Sequence, residues 1–152
     1  MDKDSSHFKK IRFPLQKDEH GYPPVESELI WSRVVNEHSY SIESIPFFVN
    51  LLALGDVVVA KPNEFGELQY IEHESYSRHS TIRIFFKVNS NETVKSIRDR
   101  LNDIGCSSEL AEIGPLAAVD IPPPISVESV RNLLSNFEID GSLSVEEACV
   151  WD

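Results

Sequence analysis

Between Thr81 and Ile104 the spacing of apolar residues changes from two to three and four. Ile82, Ile84, Phe86 and Val88 alternate along the chain, the period of a strand with one buried face. Val94, Ile97, Leu101 and Ile104 then recur at helical intervals, the stripe of an amphipathic helix. Asn89-x-x-Glu92 has capping-box spacing, and Gly105 stands where a helix wants its C′ residue. A mostly apolar run, Pro115 to Ile121, predicts the next strand, and Pro122-Pro123-Pro124 then holds the chain extended. Ser126 is placed to cap a second helix whose Val127, Val130, Leu133, Leu134 and Phe137 face inward. Asp140-Gly141 is a turn, and Leu143 to Val150 is a last strand. The order β-α-β-α-β over residues 81–150 leaves few ways to bury both helix stripes, and predicts a ferredoxin-like α/β part.

The first half has another grammar. Ile11, Phe13 and Leu15 alternate in KKIRFPL, a half-buried strand whose Pro14 suits an edge or an end. The segment 18–28 is rich in turn formers, with Gly21 able to take a positive φ and Pro23-Pro24 holding the chain beyond it extended. Leu29 to Val35 reads as a second strand and Tyr40 to Ile45 as a short third. Ile45 to Leu54 is an apolar stretch expected to form a loop or a helical turn under the core. Gly55-Asp56 turns the chain into a β-branched strand through Ala60, and Lys61 to Gly66 joins it to a strand over Leu68 to His73. Several short strands joined by tight turns predict a small SH3-like barrel. The expected organisation is α+β within one compact unit: a disordered tail over 1–8, a barrel-like part over 9–80, and a ferredoxin-like part over 81–152. The 152 residues suffice for one domain or two very small ones.

Charge is unevenly spread. The formal net charge is −11, and residues 101–152 carry one basic and ten acidic side chains. Such a segment repels phosphate backbones and anionic lipid, which argues against direct nucleic-acid or membrane binding. It would steer a basic protein toward itself. No apolar run approaches the ~18 residues that span a bilayer, and residues 1–10 lack an apolar export core. Cys106 and Cys149 are too few for a disulfide framework and sit beside apolar residues. A soluble, cytoplasmic protein with buried free thiols is the expectation.

At residues 10–28, KIRFPLQKDEHGYPPVESE, the chain resembles a bacterial family of unknown function, DUF4265. Residues 45–58, 78–86, 101–109, 116–123 and 138–150 are similar to that family's pattern in the same order and spacing, so the resemblance covers most of the chain from about residue 9. GYPPVESE and LGDVV are its most specific pieces. Arg78 stands where the pattern has Gly before His-Ser-Thr, a departure that bears on the backbone of that turn. The resemblance implies kinship of fold, little chemistry, and an association with bacterial toxin and immunity neighbourhoods.

Catalytic patterns are sparse. Glu26 and Glu28, two apart in an extended segment, point to one face and form a candidate carboxylate pair for acid–base work. His73 and His79, with Glu72 and Glu74 nearby, lack metal-ligand spacing, so no metal is expected. Adjacent His79 and Ser80 would point to opposite faces of a strand, which excludes a triad. There is no P-loop, no G-x-G-x-x-G and no G-x-S-x-G. Cys149 neighbours Glu146 and Glu147, the wrong setting for a thiolate nucleophile. Trp31 reads as core, whereas Trp151 is placed to anchor an interface.

The strongest candidate is the acidic set Glu138, Asp140, Glu146, Glu147 and Asp152, together with Trp151. These residues predict a non-enzymatic immunity or inhibitor protein, without cofactor, that docks on a basic toxin, a nuclease for example. The alternative expectation is a small-molecule-binding regulatory domain, with a pocket between the two halves near Glu26, Glu28, Asp56 and His79.

Overall fold

A computed structural model describes residues 7–112 and 114–151. The chain is mixed α+β and divides into two compact units, Met1–Ser77 and Arg78–Asp152. Residues 1–6 of the expected tail lie outside the described residues, and Phe8 already belongs to the first strand.

The first unit holds β1 (Phe8–Pro14), β2 (Ser27–Val34), β3 (Ser39–Ile42), β4 (Val57–Pro62) and β5 (Leu68–Ser75). Consecutive strands pair antiparallel. β1 also pairs in parallel with β5 through Ile11–Leu68 and Arg12–Gln69, so the round of pairings closes on itself. Alternation sends Ile11, Phe13, Ile30, Ile42, Val58 and Ala60 into one core, where Leu52 of the 45–54 segment joins them. That segment forms neither helix nor strand.

The second unit holds β6 (Ser80–Phe86), α1 (Asn91–Asp103), β7 (Ser107–Leu110), β8 (Leu116–Ile121), α2 (Val127–Ile139) and β9 (Leu143–Cys149). Its four strands lie in the order β7-β8-β6-β9, antiparallel throughout. Ile82, Ile84, Phe86, Ala117, Val119, Ile121 and Leu143 share a core with Ile97 and Leu101 of α1 and Val127, Val130 and Leu134 of α2. Thr81, Arg83 and Asp120, at alternate positions on the opposite face, are buried too.

Two local features differ from expectation. The cap of α1 is Ser90 rather than Asn89: its side chain accepts a hydrogen bond from the Thr93 N–H at 3.2 Å. Strand β7 is the second, because Ser-Ser-Glu-Leu has no apolar alternation to mark it; it is an edge strand held by its ladder to β8. Gly105 ends α1 as expected, at φ +102°, where an added Cβ would also meet Ile125 Cδ1 at 3.2 Å. Among the described residues no helix is long and apolar enough to cross a membrane.

Candidate functional site

Of the acidic candidates, Glu138 lies on α2, Asp140 at its end, and Glu146 and Glu147 on β9. Ser126 caps α2 by accepting the Ser129 N–H, and the helix runs to Asp140, whose carboxylate accepts the Ser142 N–H at 2.8 Å and turns the chain into β9. A groove of about 310 Å³ lies between helix and strand. Ile82, Val127, Val130, Leu134 and Val145 line it, with Arg131, Glu138 and Glu147 among its polar residues. Arg131 spans the groove, its Nε 3.1 Å from Glu147 Oε1 and its Nη1 3.3 Å from Glu128 Oε2.

The structure distributes the acidic candidates rather than stacking them. Glu147 shares the groove side of β9 with Val145. Glu146, its neighbour, faces the other way and accepts from Arg83 Nη1 at 2.7 Å. Arg83 is only 2% exposed, and Glu146 supplies a counter-charge to this buried cation. Glu138 and Asp140 stand at the carboxyl end of α2, on either side of Ile139. Ile139 is 82% exposed, the most exposed large apolar side chain among the described residues. Trp151 is half-buried: the Arg78 guanidinium lies 4.4 Å from its ring centroid, and its backbone N–H donates to Ser80 Oγ at 2.9 Å. Asp152 lies outside the described residues.

The residues named for a ligand pocket serve as ties. Lys17 Nζ sits 2.7 Å from Glu26 Oε1. The Glu28 carboxylate accepts three backbone N–H groups, from Phe47, Phe48 and Val49, at 2.8–3.0 Å. One carboxylate thus gathers three successive amides of a segment that has no ladder of its own. Asp56 is fully buried and accepts from the Ala53 N–H, the Ser77 N–H and the Ser77 hydroxyl. Glu26, Glu28 and Asp56 belong to the first unit. His79 belongs to the second, with Nδ1 2.7 Å from Asp120 Oδ1.

One constellation has no signature in the sequence. His73 Nε2 stands 3.1 Å from Asp56 Oδ2, and His73 Nδ1 stands 3.2 Å from the Tyr70 hydroxyl. Tyr70 and His73 are three apart and should face opposite sides of a regular strand. Register shifts in the β4–β5 ladder make Val58 pair with His73 and Ala60 with Tyr70, which brings both onto one side. The Asp56 carboxylate favours a proton on Nε2, leaving Nδ1 to accept the Tyr70 O–H. Burial, with Tyr76 and Glu72 adding, pushes the Tyr70 phenol up, so the phenol keeps its proton. Cys106 is equally unsuited to nucleophilic work, because burial and the nearby Asp120 carboxylate push its thiol up to about 11. Among the described residues no group of three or more His, Cys, Asp or Glu is placed to hold a metal ion.

Fold and site together define a mixed α+β chain of two units. Its acidic side chains are partly engaged in internal ion pairs and partly displayed at one end of a helix. The chain belongs to the family described as Domain of unknown function (DUF4265), whose model matches residues 28–145. It is similar in fold to the crystal structure of a hypothetical protein from Neisseria gonorrhoeae, with a TM-score of 0.77 and 19% identity over 95% of this chain and 96% of that one. No curated protein matches it.

Proposed function

We propose that this chain is a non-enzymatic binding protein of the immunity or inhibitor type, whose partner is a basic protein, such as a bacterial nuclease toxin, met in the cytoplasm. The observation that carries this reading is Ile139. Ile139, 82% exposed, stands between two exposed carboxylates, Glu138 and Asp140. An apolar anchor inside a charged rim is the pattern of an interface hot spot. The carboxylates around it match a basic partner and would speed its approach. The same proposal takes the first unit as an SH3-like barrel and the second as a ferredoxin-like sheet with two helices. The order β-α-β-β-α-β and the antiparallel arrangement β7-β8-β6-β9 support the latter.

The test uses side chains whose loss leaves the fold alone. Reversing Glu146 or Glu147 would set a lysine against Arg83 or Arg131, so those variants confuse folding with binding. Glu138→Lys with Asp140→Asn keeps a side-chain acceptor for Ser142 and removes the charge. The tagged full-length chain and this variant are each exposed to lysate of the source cell at low and high salt. The expected result is one basic protein recovered stoichiometrically, weakened by salt, and lost with the variant or with Ile139→Ser. Recovery of that protein unchanged by both variants, or of no basic protein at all, overturns the proposal.

A further inference from the structure

Strand β9 ends its sheet: it pairs with β6 and, among the described residues, with no other strand. Its register tells which backbone groups look outward. The Lys87 N–H donates to the Ser142 carbonyl at 2.8 Å. Antiparallel pairs alternate between bonded and non-bonded, so with Phe86–Leu143, Phe85–Ser144, Ile84–Val145 and Arg83–Glu146 in register, Ser144 and Glu146 bond to β6. The N–H and C=O of Leu143, Val145 and Glu147 therefore point away from it. Beside that edge runs the groove under α2, into which Val145 and Glu147 also turn their side chains.

From this juxtaposition we infer that β9 accepts an extended basic segment of a partner protein as a fifth strand. The segment's main chain would bond to Val145 and Glu147. Its apolar side chains, at every second position, would enter the groove over Val127, Val130 and Leu134. Its intervening side chains would lie on the Glu146 face, where Lys or Arg would share with Arg83 a carboxylate that is 43% exposed. Charge complementarity selects this occupant over a second copy of the chain. Glu138 and Glu147 line the groove against the single Arg131, and the whole chain carries a net charge of −11, so a second copy would bring the same excess of negative charge to this edge. The inference rests on the proposed reading of a basic partner and assigns its contact to a strand edge.

The test uses three synthetic heptapeptides and the full chain. The first alternates Lys and Val, the second is the same peptide with N-methyl groups on alternate amides, and the third alternates Thr and Val. Binding is observed by NMR titration and by hydrogen exchange. Strand addition predicts protection of the Val145 and Glu147 amides by the Lys-Val peptide, and binding roughly tenfold weaker when the peptide amides that face β9 are methylated. Val145→Pro, which removes an outward donor and spares the β6 ladder, should abolish that protection while the chain stays folded by circular dichroism. No binding, or binding indifferent to methylation, overturns the strand addition. If the basic protein is still captured and Glu138→Lys still releases it, the partner reading stands alone. If the Thr-Val peptide protects β9 as well as the Lys-Val peptide, the edge pairing stands and the basic partner falls.

Discussion

Arg131 of α2 and Glu147 of β9 face each other across a groove with an apolar floor, Nε 3.1 Å from Oε1. The pair closes part of that groove and cancels part of its charge. Both side chains are partly exposed, so the bridge contributes little to folding.

Arg131→Ala should therefore cost at most about 1 kcal/mol of stability while uncovering Glu147 and Glu128. Association of the Lys-Val peptide should become a few-fold faster at low salt, and the gain should vanish at high salt. Stopped-flow fluorescence of a labelled peptide reads both. A slower association would mean that Arg131 itself holds the incoming segment.

Asp56 answers to a different measurement. Its carboxylate satisfies the Ala53 N–H, the Ser77 N–H, the Ser77 hydroxyl and the His73 ring with no exposure to water. Asp56→Ala would take away the carboxylate that the Ala53 and Ser77 N–H groups donate to, the Ser77 hydroxyl keeping the Leu54 carbonyl at 2.6 Å, and should destabilise by roughly 2–4 kcal/mol in urea unfolding. Asp56→Asn, which keeps one acceptor oxygen, should cost less. Equal costs would argue against the hydrogen bonds as the source.

Arg78 holds a φ of +71°, a left-handed conformation that glycine adopts without strain. Its guanidinium over Trp151 offsets part of that cost. Arg78→Ala keeps the strain and loses the ring contact, so it should be destabilising. Arg78→Gly should be more stable than Arg78→Ala by about 1 kcal/mol. Parallel thermal melts check the order, and an alanine variant equal to glycine would contradict it.

Much of this fold was legible in the sequence because its signals are local. The change of period at Val88, the Ser126 cap and the Gly105 stop each rest on residues a turn apart, and they place the second unit's helices. The site was legible only as composition. A count of carboxylates carries no information about Arg83 or Arg131, which reach their partners across 63 and 16 residues. The Tyr70–His73–Asp56 chain depends on register shifts that a period-two pattern conceals. Arg78 is the converse: a single departure from the family pattern marked a backbone position that the structure does hold at positive φ.

Asp120 makes stability depend on pH. Burial pushes its carboxyl above the ordinary 3.8, opposed by His79. A carboxyl whose folded pKa exceeds its unfolded one stabilises the fold fully below the unfolded value, and that contribution is lost as pH rises through the folded value. Asp120→Asn should flatten this decline in melting temperature across the range just above 3.8. An unchanged slope would assign it to other groups.

The most direct measurement is the association rate of the captured basic partner with the wild-type chain and with Glu138→Lys/Asp140→Asn, at low and high salt. A large drop in on-rate is predicted for the variant at low salt, shrinking as salt rises, with the dissociation rate changed less. Equal on-rates at every ionic strength would contradict the claim that the acidic end of α2 receives a basic protein.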